Sequence, residues 1–136
     1  MSKNECKIQL LDFYFSKFDF LQKREESNEE YSTTFKIDYS VNSADDSMIR
    51  VAIDTSIKNA TETILINLET VGTFKIDKTE LDEETYDHLI KINTVAIMFP
   101  YIRSQISIIT TQPGIPPIML PPMNINALID SCEENW

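Results

Sequence analysis

Between Lys91 and Asp130 this chain carries one charged residue, Arg103, although a quarter of all its residues are charged. No other feature of the sequence limits the fold as much. A stretch this apolar does not suit an ordinary solvated surface. Pro113, Pro116, Pro117, Pro121 and Pro122 forbid one continuous helix through it. The same prolines exclude a membrane-spanning helix, which needs about 20 uninterrupted apolar residues. The segment from Met98 to Leu128 therefore reads as a helix, a stiff apolar loop and a second short helix.

The first helix announces itself upstream. The acidic run Leu81 to Asp87 (LDEETYD) suits a helix N-terminus and its dipole. Tyr86, Leu89, Ile90, Asn93, Ala96 and Ile97 then recur at helical spacing. Pro100 is expected to interrupt or kink the helix. Tyr101, Ile102, Ile106, Ile108 and Ile109 continue it to Gln112-Pro113-Gly114, with β-branched residues lowering the propensity. The loop from Ile115 to Met123 displays Ile115, Ile118, Met119, Leu120 and Met123. Asn124 is placed to cap a last helix running to about Cys132.

The other half has a period of two. Tyr31, Thr33, Phe35, Ile37, Tyr39 and Val41 alternate with Ser32, Thr34, Lys36, Asp38 and Ser40, which predicts a half-buried strand. NSADDS (Asn42 to Ser47) is a turn cluster. Ile49, Val51, Ile53, Thr55 and Ile57 form the next apolar row, and Asn59-Ala60 reads as a short hairpin link. A further strand spans Thr61 to Ile76, with Ile64, Ile66, Leu68, Phe74 and Ile76 on one face. Gly72 within it signals a bulge or a close backbone approach. The first strand, from Met1 to Leu21, is apolar on both parities, with Ile8, Leu10, Leu11, Phe13, Tyr14, Phe15, Phe18 and Phe20. It is either buried on two sides or covered by another subunit. Strands followed by helices predict one α+β domain over residues 1–136, a four-stranded antiparallel sheet with two helices on one face. The surplus apolar surface predicts an oligomer.

Composition removes several functions. A formal net charge of −10 and an isoelectric point near 4.4 argue against nucleic acid and against an anionic membrane. Cys6 and Cys132 stand at opposite ends, no CxxC occurs, and MSKNECK has no apolar signal core, so free thiols in a reducing cytoplasm are expected. Catalytic equipment is missing. His88 is the single histidine, beside Asp87 on a polar helix face, where solvation is its ordinary role. Gly72 and Gly114 are too far apart for a phosphate-cradling loop. Asp38 and Asp54 lie on polar strand faces, where paired carboxylates could do acid–base work but a solvated sheet face is the plainer reading. The runs Glu25 to Glu30 and Asp82 to Asp87 are solvated connections or an acidic docking surface. No enzyme, cofactor or metal site is expected.

The central stretch resembles one family, SecB, the bacterial preprotein chaperone. The motif is Phe99-Pro100-Tyr101 with Arg103, then Pro116 or Pro117, then Leu120-Pro121-Pro122-Met123-Asn124, then Ala127-Leu128. Leu65 to Ile76, with Gly72 and Phe74, looks like the family's fourth strand. The resemblance implies Greek-key-like connections in the sheet and assembly as a homotetramer, a dimer of dimers. It implies ATP-independent binding of unfolded preproteins in apolar, aromatic grooves, for export or folding. On that basis Phe13, Phe15, Phe18, Phe20, Ile118, Met119, Leu120 and Met123 are the candidate groove residues, and Tyr101, Arg103 and Ile106 the candidate assembly contacts. Arg103, alone in an apolar segment, should be paired or at an interface. The family docks on the motor SecA through acidic sheet positions and a basic tail. Here the aligned positions are Lys17, Leu21 and Asn67, though Glu69 and the acidic run after Leu21 could substitute, and Trp136 follows closely on the last helix. The chaperone half of the family's function therefore carries over better than motor docking. A SecB-fold protein dedicated to one partner, such as the antitoxin of a toxin–antitoxin pair, is the alternative.

Overall fold

In a computed structural model, the structure describes residues 7–23, 30–45, 47–77, 83–113, 117–120 and 124–132. Its elements follow in the order β1 (Lys7–Gln22), β2 (Tyr31–Val41), β3 (Met48–Asn59), β4 (Ile64–Asp77), α1 (Glu83–Ile109) and α2 (Ile125–Cys132). This is an α+β chain with one antiparallel sheet and two helices. It divides into two compact units, one holding Gln9–Ile76 and the other Asp77–Ser131.

In the sheet unit the strand order is β1-β4-β3-β2. β2, β3 and β4 are joined as consecutive hairpins, and β1 crosses to the far side to lie beside β4, which is Greek-key order. The β2–β3 register runs unbroken from Tyr31↔Asn59 to Val41↔Ile49. The β3–β4 register runs from Met48↔Lys75 to Lys58↔Leu65. Gly72 sits in that ladder opposite Val51, so no bulge interrupts it there. β1 opposes β4 in direction, because Ser16 meets Glu69 while the later Lys23 N–H donates to the earlier Thr63 carbonyl at 2.7 Å.

Alternation puts one row per strand on the buried face. Ile37 on β2, Val51, Ile53 and Ile57 on β3, and Ile66, Leu68, Phe74 and Ile76 on β4 are almost fully buried. Thr55 and Thr70 stand among them with hydroxyls that find no hydrogen-bond partner among the described residues. Ser40, Arg50, Asp54, Asn67 and Lys75 lie on the opposite parity and form the outward face, although Val71 of that parity is buried too.

The β3–β4 link is longer than the alternation predicts. Asn59 Nδ2 donates to Thr63 Oγ1 at 2.7 Å, and the Ile64 N–H donates to Asn59 Oδ1 at 3.2 Å. These bonds bring residues 60–63 out of the ladder, and Glu62 takes a positive φ of 54° in the turn. β4 therefore begins at Ile64 rather than Thr61. The β2–β3 turn follows its sequence more closely. Asn42 Oδ1 accepts from the Ala44 N–H, and Asp45 Oδ1 accepts from both the Ser47 N–H and the Ser47 hydroxyl. Those two Ser47 bonds, side chain first, with Lys75 nearby, hold the Asp45 carboxyl below its ordinary pKa.

In the helical unit α1 continues through Pro100 without interruption, which corrects the expected break. Pro100 has no N–H for the Ala96 carbonyl, but both residues are on the exposed side, where water can substitute. The opposite side repeats every four residues. Tyr86, Ile90, Thr94, Met98, Ile102, Ile106 and Thr110 are all buried. Its threonines do not orphan their hydroxyls, since Thr94 donates to the Ile90 carbonyl at 2.6 Å and Thr110 to the Ile106 carbonyl at 2.7 Å. Asn124 caps α2 as expected, its Oδ1 accepting from the Ala127 N–H at 3.3 Å.

Candidate functional site

A large apolar side chain left in solvent is ordinary when scattered and informative when clustered. β1 clusters them. Leu11, Tyr14, Phe18 and Leu21 are each 40 to 45 % exposed, and Phe13, Phe15 and Phe20 are half-buried. Phe13 and Phe15 share a face and pack edge to face, with ring centroids 5.5 Å apart. β1 is an outer strand of the sheet, so its aromatic side chains occur beside an open edge.

The helical unit presents a second open apolar surface. Residues 117–120 lie along the last turns of α1, held by polar side chains that point from the helix. The Ile118 N–H donates to Thr110 Oγ1 at 2.8 Å, and Arg103 Nε donates to the Leu120 carbonyl at 3.1 Å. The single Ser107 hydroxyl proton is shared between the Ile118 carbonyl and Met119 Sδ, each at 3.4 Å. These bonds set which way each loop side chain faces. Ile118 and Leu120 are buried, while Met119 between them is 73 % exposed. On α1 itself, Tyr101 and Ile108 are open, two turns apart on one stripe.

The outward sheet face is mixed in charge. Asp54 pairs in register with Glu69 on β4 and with Lys36 on β2. Burial, with Glu69 and Asp38 adding to it, raises the Asp54 pKa against the pull of Lys36 and Lys17. Glu69 accepts a hydrogen bond from the Ser16 hydroxyl on its carboxylate.

Phe18 and Met119, among the groove residues named from the sequence, are open, and Phe13, Phe15 and Phe20 are partly so. Ile118 and Leu120 face inward as packing residues, and Met123 lies outside the described residues. Among the assembly candidates Tyr101 is open, whereas Ile106 is fully buried in its own chain and has no surface to offer. Arg103 is half-buried and finds a backbone carbonyl for its partner. The candidate groove and assembly residues did not include Leu11, Tyr14, Leu21 or Ile108, although the two-parity pattern of β1 contained Leu11 and Tyr14. Nor did they include Thr110 and Ser107, whose hydroxyls order the loop. Among the described residues no cluster of three or more His, Cys, Asp or Glu side chains could hold a metal ion, and no helix is long and apolar enough to cross a membrane.

Residues 6–135 match the family model described as preprotein translocase subunit SecB. A protein-export protein SecB from Methylobacillus flagellatus is 33 % identical over 79 residues, covering 57 % of this chain and 49 % of its own. An uncharacterised protein of Methanocaldococcus jannaschii is 37 % identical over 71 residues, covering 52 % of this chain and 44 % of its own. The chain thus spans about half the length of the curated relatives it matches. A solved SecB-like chaperone of Mycobacterium tuberculosis, in complex with a ChAD peptide from the HigA1 antitoxin, superposes with a TM-score of 0.70. It is 18 % identical, with 86 % of this chain and 91 % of that one covered.

Proposed function

Since this chain belongs to the SecB family, we propose that it is an ATP-independent chaperone that binds unfolded polypeptides and keeps them competent for export or folding. The observation that carries this reading is the open apolar side chains of β1, Leu11 and Leu21 on one parity and Tyr14 and Phe18 on the other. In the helical unit Met119 is open as well. An unfolded chain exposes apolar side chains in no fixed order. Flexible methionine and rigid aromatic rings accept such side chains without reading their sequence. Each contact is weak, and contacts repeated along one bound chain multiply by effective concentration. Binding and release need no nucleotide and no bond-making.

The protein works in the cytoplasm as a single SecB-like domain assembled into a homotetramer. Part of β1 and the Tyr101–Ile108 stripe of α1 are the surfaces that assembly covers. Docking on SecA has the weaker support, because Lys17, Leu21 and Asn67 stand at the aligned acidic positions, with Glu69 left to substitute for them. That loss favours a second reading, a chaperone dedicated to one partner such as an antitoxin, the class of client seen on the mycobacterial neighbour. Light-scattering mass with and without an unfolded, non-aggregating client tests the proposal. A tetramer that takes up client as a discrete complex supports it. A tetramer that ignores general clients but co-purifies with one stoichiometric partner supports the second reading. A monomer that binds nothing overturns both.

A further inference from the structure

The chain has an acidic excess, yet neither arginine among the described residues forms an ion pair with a described carboxylate. Of the two arginines among the described residues, Arg103 is engaged by the loop and Arg50 is exposed on the outward sheet face. Lys17 and Lys58 each reach a carboxylate, at 3.6 and 3.9 Å. Arg50 makes no ion pair among the described residues, and its single side-chain bond is a 3.3 Å donation to the Tyr14 hydroxyl.

Beside Arg50 stand several groups able to donate a hydrogen bond. Register places Ser40 on one side of it and Thr73 on the other, in one row across β2, β3 and β4. Neither hydroxyl has a hydrogen-bond partner among the described residues. Asn42 uses its Oδ1 on the Ala44 N–H at 2.8 Å, which leaves its amide NH2 to donate. Tyr14 accepts from Arg50 and keeps its own proton to give. These groups, Tyr14 excepted, line a cleft of about 240 Å³ whose other walls include Val41 and Met48. No described residue of that lining is a carboxylate, and a guanidinium among groups that can donate suits a bound carboxylate.

We propose that this cleft binds the terminal carboxylate of a polypeptide, with Arg50 as the anchor and Val41 and Met48 receiving an apolar last side chain. The proposal rests on the polypeptide-binding reading above and names one end of the client. The cleft, at about 240 Å³, has room for the carboxylate and side chain of one residue. A terminal residue brings carboxylate and side chain from the same Cα, as the adjoining polar and apolar walls require. A phosphate dianion fits less well, with one arginine to meet it in a chain of net charge −10.

The test uses the full chain and a fluorescein-labelled short peptide ending in leucine, as free acid and as amide, read by anisotropy. The free acid should bind about tenfold tighter, the worth of a charge-assisted hydrogen bond. That preference should vanish in Arg50→Gln and shrink in Ser40→Ala/Thr73→Val. Equal binding of acid and amide overturns the site, and this comparison needs no variant to fold. An amidated peptide ending in aspartate that binds as tightly as the free acid overturns the terminal assignment. Uptake of a long unfolded chain by both wild type and Arg50→Gln keeps the chaperone reading standing whatever becomes of the cleft.

Discussion

Thr110→Val isolates the bond that holds the loop. Thr110 is fully buried, accepts from the Ile118 N–H at 2.8 Å and donates to the Ile106 carbonyl at 2.7 Å. Valine keeps its shape and removes the hydroxyl. The Ile106 carbonyl retains the Thr110 N–H at 3.1 Å, so it is not orphaned. The Ile118 N–H loses its acceptor. Stranding a buried N–H costs its desolvation penalty, about 1–3 kcal/mol. Lifting the loop into water offers little relief. It would expose Ile118 and Leu120, now 6 and 8 % exposed, at about 1.5–3 kcal/mol each. Thr110→Val should therefore cost up to about 3 kcal/mol. Thr110→Ser keeps both bonds and loses one methyl, at about 1 kcal/mol. Urea unfolding at a fixed protein concentration gives the ranking, and amide exchange at Ile118 gives the cause. The reasoning fails if valine is tolerated as well as serine, or if Ile118 stays protected in the valine variant.

Asn59→Ala removes both side-chain bonds of the β3–β4 turn and should cost about 3 kcal/mol, since a buried Ile64 N–H is stranded; a midpoint shift in urea reads it. Thr55→Val and Thr70→Val replace buried, unpartnered hydroxyls and should each stabilise by about 1 kcal/mol in the same assay. Asp54→Asn should stabilise the protein near neutral pH. Folding raises the Asp54 pKa above its ordinary 3.8, by burial first and then by Glu69 and Asp38, so its charge opposes folding once pH rises through that window. Below pH 3.8 the carboxyl is protonated in both states and the variant's advantage should disappear; urea midpoints at acid and neutral pH check both arms.

The sheet was legible because alternation is a direct record of which side chains are buried. β2, β3 and β4 came out of the sequence on the right faces, and the Phe99 to Leu128 motif supplied the connection order that periodicity cannot. The β3–β4 turn was not legible, because it rests on the amide of Asn59 bonding to its own loop, and hydropathy does not register that. Pro100 misled for a similar reason. Its cost depends on whether the deprived Ala96 carbonyl faces solvent, which the sequence does not state. The loop was the hardest part. Ile118, Met119 and Leu120 are consecutive and apolar, with no period to separate packing from display. Thr110 and Arg103 separate them, from one turn and more away on α1. Arg50 escaped notice because a lone arginine on a polar strand face looks solvated until its neighbours across two registers are counted.

The strand order has a consequence for how the chain comes into being. β1 is made first, but its neighbour in the sheet is β4, and the Ser16–Glu69 contact joins residues 53 apart. At roughly 5–20 residues per second, synthesis leaves β1 waiting roughly 3–10 s for that neighbour. The hairpins that follow close locally and quickly by comparison. Throughout the wait, Phe13, Phe15, Phe18 and Phe20 lack the sheet neighbour they will later have, and stay open to solvent or to the finished surface of an older copy of the same protein.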